Sequence, residues 1–250
     1  MQFRFDGEVI EVNMGDWTML SAAIQQRFAA RRGFALATIN LDHLVKLRAD
    51  AAFRSAYAGQ DLVVADGHPI AWLSKIAGDP VSVLPGSDLV LPLCRLAAAQ
   101  GVSLALVGST QAALQDARAY LTAKVPGLHV VLCLSPSQGF DPQSDEADRV
   151  LQAVADSGAR LCFLALGAPR QERLAFRGRA IVPDVGFASV GAGLDFLGGH
   201  QQRAPSWARR FALEWLWRAL NNPLRLGPRY LRCIAILPGQ VFQALKLRMQ

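Results

Sequence analysis

Between residue 34 and about residue 199 the chain alternates short β-branched or apolar runs with longer stretches of helical periodicity. The runs lie at 34–40, 61–65, 102–108, 128–133, 160–166 and 181–190. Helical segments open behind recognisable capping residues: Ser87-Asp88 before 89–99, Ser109-Thr110 before 111–125, and Asp145-Glu146 before 147–157. A strand followed each time by its helix is the signature of a parallel sheet covered by helices. The first 14 residues read differently, as two alternating strands joined by Asp6-Gly7, a hairpin turn that would add to an edge of the sheet. After Gly199 the strand signals stop. Pro205 opens a helix-like run to Leu220, and Asn221-Asn222-Pro223 breaks it before further helical sequence. The expected architecture is an α/β fold: a Rossmann-like parallel sheet with helices on both faces, a small N-terminal β-hairpin, and a helical C-terminal appendage.

Composition agrees with one large core. The 250 residues are 52% hydrophobic and 18% charged, which excludes disordered or fibrous classes. Charge then marks a boundary. The net charge is +6, yet residues 203–250 hold nine basic groups (Arg203, Arg209, Arg210, Arg218, Arg225, Arg229, Arg232, Lys246, Arg248) and one acid, Glu214. That tail carries +8 and leaves about −2 on residues 1–202. Trp207, Trp215 and Trp217 lie in the same tail. The expected division is an α/β catalytic core at 1–202 and a basic, Trp-rich helical appendage at 203–250. Cys94, Cys133, Cys162 and Cys233 share no short spacing, which excludes a CxxC pair and a disulfide scaffold and suits a cytoplasmic protein. The N-terminus carries acids where a signal peptide has an apolar stretch, and no run reaches the ~18 apolar residues of a membrane span.

In open parallel sheets ligands bind beyond the carboxyl ends of the strands. Here those ends carry Thr38, Asn40, Asp42 and His43, then Asp66-Gly67-His68-Pro69, Gly108-Ser109-Thr110, Gly167 to Glu172, and Gly191 to Asp195. Familiar nucleotide motifs are missing. Phe196 stands where GAGLDF would need a third glycine, no Gly-Lys pair forms a P-loop, and there is no GxSxG. His43, His68, His129 and His200 are far apart and no HExxH or DxD occurs, so neither metal nor cofactor is expected. Asp66 is the sharpest candidate: it can be a base delivered to the sheet rim, the cap of the helix at 69–77, or both at once. Asn40 and Asp42 share that ambiguity. GAPRQE, with Arg170 and Gln171, couples a glycine turn to a Pro-initiated helix that suits phosphate, and Ser87-Asp88 and Gly108 stand at similar helix starts.

The order of these segments resembles the WecG/TagA/CpsF glycosyltransferases, glycosyltransferase family 26. TINLDHLVKLRAD (38–50), the ADGHP stretch within 53–72, PGSDLVLPLC (85–94), LALVGST (104–110), LGAPRQE (166–172), VGAGLDFLGG (190–199) and residues 203–231 match collinearly over about 195 residues. The resemblance implies inverting transfer of glucose, N-acetylmannosamine or N-acetylmannosaminuronate from a UDP-sugar to a polyprenyl-diphosphate-linked saccharide. The setting would be the cytoplasmic membrane face, during cell-surface polysaccharide biosynthesis and without a DxD-bound metal. By motif position Asp66 would be the catalytic base, Thr38 and Asn40 would line the sugar pocket, Gln171 and Asp195 would contact the donor, and the basic appendage would complete the site and meet the membrane. His68 stands where many relatives have Met and bears on the sugar pocket; Leu194 replaces an aromatic residue, and Ala212 a usual glycine.

Inverting displacement needs one carboxylate for the acceptor hydroxyl and cations for the departing UDP, and Arg218 and Arg225 are the tail arginines suited to the second task. If half of the tail's charge faces anionic lipid, the attraction is ~4 kcal/mol, roughly a thousandfold enrichment and a reversible peripheral association. Two other readings use the same features: a non-catalytic UDP-sugar sensor, and a nucleic-acid-binding protein built on the basic, aromatic tail.

Overall fold

The computed structural model describes residues 1–5, 7–201, 205, 217, 220 and 223–249. Six strands form one parallel sheet: β3 (Phe34–Ile39), β4 (Leu62–Ala65), β5 (Leu104–Gly108), β6 (Val130–Leu134), β7 (Leu161–Ala165) and β8 (Gly186–Ser189). Their order across the sheet is β4-β3-β8-β7-β5-β6. The chain steps from β5 outward to β6 but from β7 inward to β8, so winding reverses between β5 and β7, the kind of crevice where doubly wound sheets hold ligands. Apart from the edge strand β6, the sheet is buried on both faces, as strands reading FALATI, LALVG and LCFLA require.

One face is covered by α1 (Trp17–Ala29), α5 (Gly86–Ala99), α6 (Gln111–Lys124) and the short α9 (Gly193–Leu197). Leu20, Ile24, Leu93 and Leu114 meet Phe34, Leu36, Val64 and Leu106 there. The alternate side chains Ala35, Ala37, Ile39 and Val107 look the other way. They meet α2 (Leu41–Ala49), α3 (Ala51–Ala58), α4 (His68–Ile76), α7 (Asp145–Asp156) and α8 (Arg170–Ile181). The long C-terminal helix α10 (Pro223–Arg248) lies outside α2 and α4 and adds Ile236 and Ala244 to the core on that face.

The hairpin forms as expected, β1 (Gln2–Phe5) against β2 (Glu8–Glu11) with Phe5 opposite Glu8, although Asp6 of its turn lies outside the described residues. It does not extend the main sheet. It makes a separate two-stranded sheet, with Phe3 and Ile10 packed beside Phe53 and Tyr57. The edge of β4 is already occupied: Asn13 bonds the Asp61 carbonyl and the Val63 amide, Met14 donates to Val63, and Leu84 donates to Ala65. Such cover removes the open edge to which a hairpin would add.

Other expectations shift by a few residues. The run at 181–190 becomes strand only from Gly186, because Ile181 completes α8 and Pro183 follows. Pro85 and Ser144, not Ser87-Asp88 and Asp145-Glu146, take the N-cap places of α5 and α7, and the expected caps fall inside the first turns. Thr110 does cap α6, accepting from the Ala113 amide at 3.2 Å. Two helices arise without a sequence expectation, α1 and α3, each opened by an aspartate that accepts from the amide three residues on: Asp16 from Met19 and Asp50 from Phe53. The helix-like run at 205–220 lies outside the described residues except at 205, 217 and 220.

Candidate functional site

The pairing of β3 with β4 sets Thr38 opposite Val64. Two residues further on, the same register brings Asn40 to Asp66 at the carboxyl rim. The Asn40 Nδ2 group donates to Asp66 Oδ2 at 3.2 Å, while Asn40 Oδ1 accepts from the His43 amide and caps α2. Asn40 therefore takes the capping role its sequence suggested while also holding Asp66, and Asp42 lies in the first turn beyond it. Asp66 is half-buried and leaves the capping of α4 to Gly67, whose helix has no side-chain cap. Thr38 is buried beneath the pair, and half-buried His68 stands beside it with its ring 6.2 Å from that of Trp72.

Behind this rim lies a buried polar layer. His43 stacks edge-on with Phe53 and Tyr57, and its Nδ1 lies 3.3 Å from the Tyr57 hydroxyl. Burial lowers the His43 pKa to about 3, so the ring is neutral at physiological pH. Burial also raises the Tyr57 hydroxyl well above its usual range, with the charges of Glu172 and Asp66 adding to it. Glu172 is fully buried, and burial pushes its carboxyl up to about 7; the Gln171 hydrogen bond and the charge of Lys46 offset only part of that. Lys46 joins the rim to the outer layer, donating to the Ala168 carbonyl at 3.1 Å and pairing with Asp42 at 2.8 Å. Arg229 of α10 reaches the same carboxylate at 2.9 Å. Burial pushes Asp42 up, but the Lys46 hydrogen bond and the two cations outweigh it and hold the group below the usual carboxylate range.

The other strand ends supply a second group. A side chain at Gly108 would meet the Ala165 backbone at 2.5 Å, so glycine lets β5 and β7 close together at the crevice. The next residue, Ser109, holds a left-handed φ of 52°, a costly place for serine, fixed by three bonds. Its amide donates to Ala165, its carbonyl accepts from Ser135 Oγ, and its hydroxyl donates to Asp195. Asp195 also accepts from Gln201 Nε2 at 2.9 Å, where the chain leaves the core. Gln171 is buried, its Nε2 donating to Glu172 at 2.8 Å and its Oε1 accepting from the Gly191 amide at 3.3 Å. Arg170 and Asp88 are exposed and Ser87 half-buried, in the first turns of α8 and α5, and neither helix has a side-chain cap. Arg218 and the side chain of Arg225 lie outside the described residues.

Of the expected residues, the structure thus joins Asn40 to Asp66 directly and gathers the others along one rim as far as it describes them. Sequence reasoning named neither Ser109 nor Lys46 as a site residue, and it did not single out Glu172, whose burial behind Gln171 no local pattern announces. Among the described residues no three His, Cys, Asp or Glu side chains are placed to hold a metal ion, and no helix is long and apolar enough to cross a membrane.

A doubly wound sheet with a carboxylate and several uncapped helix starts along its carboxyl rim defines a Rossmann-like α/β protein whose ligand crevice lies at the strand ends. The model of the glycosyl transferase WecG/TagA/CpsF family matches residues 8–250, nearly the whole length, and the chain belongs to that family. It is a glycosyltransferase of polysaccharide biosynthesis, acting on a sugar donor and an acceptor.

Proposed function

We propose that the protein transfers a hexosyl-type sugar (glucose, N-acetylmannosamine or N-acetylmannosaminuronate) from a UDP-sugar to a polyprenyl-diphosphate-linked saccharide, with inversion and without a metal. The observation that carries the reading is the Asn40–Asp66 pair at the ends of adjacent strands. In this mechanism the Asp66 carboxylate takes the proton of the acceptor hydroxyl as that oxygen bonds to the anomeric carbon. The bond from that carbon to the diphosphate oxygen breaks on the opposite face, and UDP leaves with the electron pair. Asn40 holds Asp66 in place and Thr38 and His68 bound the sugar. A single carboxylate suffices for inversion, whereas retention would need a second as nucleophile. Ser87, Asp88, Gly108, Arg170, Gln171 and Asp195 form the donor side, where the starts of α5 and α8 present amides to the diphosphate. Arg218 and Arg225 neutralise it further.

The exposed face of α10 supports peripheral membrane association through residues 203–250. Leu224, Leu231, Ile234, Phe242, Leu245 and Met249 are all exposed and fall within an arc of about 80° at 3.6 residues per turn. The packed residues Leu226, Cys233, Ile236, Gln240 and Ala244 occupy the opposite side. An apolar stripe bordered along one side by Arg232 and Lys246 suits the headgroup boundary of an anionic inner leaflet. The test is UDP release from a panel of UDP-sugars, with a polyprenyl-diphosphate-linked mono- or disaccharide acceptor, with and without EDTA. Acceptor-dependent release from one donor, unchanged by chelation, is expected. UDP-sugar binding without release in any acceptor would instead make the protein a sensor.

A further inference from the structure

We infer that Gln171 and Glu172 are positioning residues, a buried tie that sets the glycine turn after β8, and that Gln171 serves the donor through that turn instead of touching it. The inference rests on the donor reading above for its kinetic consequence, though not for its geometry. Gln171 is 3% exposed, and both ends of its amide are committed within the protein. Nε2 donates to Glu172 Oε1, and Oε1 accepts from the Gly191 amide. Glu172 is 0% exposed, and its backbone carbonyl accepts from Gln60 Nε2 at 3.1 Å. The acceptor end of the tie is therefore anchored to the end of α3. Each end of the amide keeps one further N–H or lone pair, but at 3% exposure the side chain offers a ligand almost no surface on which to use it.

The other end of the tie governs a crowded junction. Gly191 has a left-handed φ of 57°. Two residues on, a Cβ at Gly193 would lie 3.0 Å from Val90 Cγ2 and 3.1 Å from Ser87 Cα. One at Gly86 would lie 3.2 Å from Val190 Cα. The turn at 190–193 is thus packed directly on the first turn of α5, and any shift of the Gly191 amide moves the turn against Ser87. Through these contacts the Gln171–Glu172 pair fixes the spacing between the start of α8, the glycine turn and the start of α5. A diphosphate bridging the amides of those segments is sensitive to displacements of about 1 Å.

The test is a double-mutant cycle of Gln171→Leu and Glu172→Met, with Glu172→Gln as the conservative variant. Two readouts are used: hydrogen exchange of the Gly191 amide in the full-length protein, and the KM for the UDP-sugar against kcat. Both single variants are expected to speed Gly191 exchange at least tenfold. Each is expected to raise donor KM about tenfold with kcat within threefold, and the double variant to be no worse than either single one. Glu172→Gln, whose Oε1 still accepts from Gln171, restores most of both losses. If Gln171→Leu raises KM while Glu172→Met does not, Gln171 contacts the donor directly and the inference is wrong. Unchanged Gly191 exchange in both variants also overturns it, and that result stands even if the wild-type protein consumes no UDP-sugar, which would refute only the donor reading.

Discussion

Replacing Asn40 by aspartate separates the two tasks of that residue. Aspartate caps a helix as well as asparagine does, so α2 keeps its first turn. The change instead sets a second carboxylate where the Asn40 amide now donates to Asp66 at 3.2 Å. Two charges about 4 Å apart interact by about 4 kcal/mol at an effective dielectric of 20. Both side chains are half-buried at an open rim, so solvent reduces this to roughly 1–2 kcal/mol, about one pH unit of proton affinity. If the Asp66 carboxylate is the base, the acid limb of the kcat/KM profile in Asn40→Asp moves up by about one unit. The shift should shrink in ~1 M salt. Asn40→Ala, which introduces no charge, should leave the limb within a few tenths of a unit while losing about 1 kcal/mol of stability with the cap, a fall of about 3 °C in Tm for a chain of this length. The assay is UDP release across pH 5–9 for the three proteins. An acid limb unmoved in Asn40→Asp, with the protein folded and active, would refute either the contact or the role of Asp66.

Three further outcomes follow from the packing and charge. Glu172, with a folded pKa of about 7 against an ordinary 4.5, binds its proton more tightly when folded, so its favourable contribution is complete below about pH 4.5 and is lost as pH rises towards 7. Glu172→Gln should therefore add up to about 3 kcal/mol of stability above pH 7 and almost none at pH 4, measured by urea unfolding at both values. Gly108→Ala sets a methyl 2.5 Å from the Ala165 backbone at a φ of 118°, and should cost at least about 2 kcal/mol, seen as a Tm lower by 5 °C or more. Phe242→Asp with Leu231→Asp, both on the exposed stripe of α10, should weaken sedimentation with phosphatidylglycerol vesicles at least tenfold while circular dichroism stays unchanged; undiminished sedimentation would remove the α10 stripe from the membrane reading.

The fold was legible because the inner strands, buried on both faces, read as nearly continuous apolar runs, and each of the six strands overlaps one of the expected runs. Hairpin placement was not, since what denies it the sheet edge is a side chain, Asn13, bonding across to Asp61 and Val63. Helix α1 escaped notice because its buried positions Leu20, Ile24 and Phe28 stand among small and polar residues, with only Asp16 to announce it. At the site, Asp66 and Asn40 were visible individually, but their contact depends on strand register. The Gln171–Glu172 tie was hidden for a related reason: adjacent residues in a helix start reveal nothing of Gly191, 20 positions away, until β7 and β8 lie side by side. Asp195 was visible by its place at a strand end, but its partners Ser109 and Gln201 were not, because they come from the far side of the crevice and from the exit of the core.

The central claim is that Asp66 accepts the proton of the attacking hydroxyl. Its most direct measurement is the rate of acceptor-dependent UDP release by Asp66→Asn, alongside wild type, with Tm and donor KM determined on the same preparations. Asparagine preserves shape and can still bond Asn40, so Tm within about 3 °C, donor KM within a few-fold and kcat lower by about 10²- to 10⁴-fold are predicted. A folded Asp66→Asn protein that transfers sugar at the wild-type rate would contradict the account.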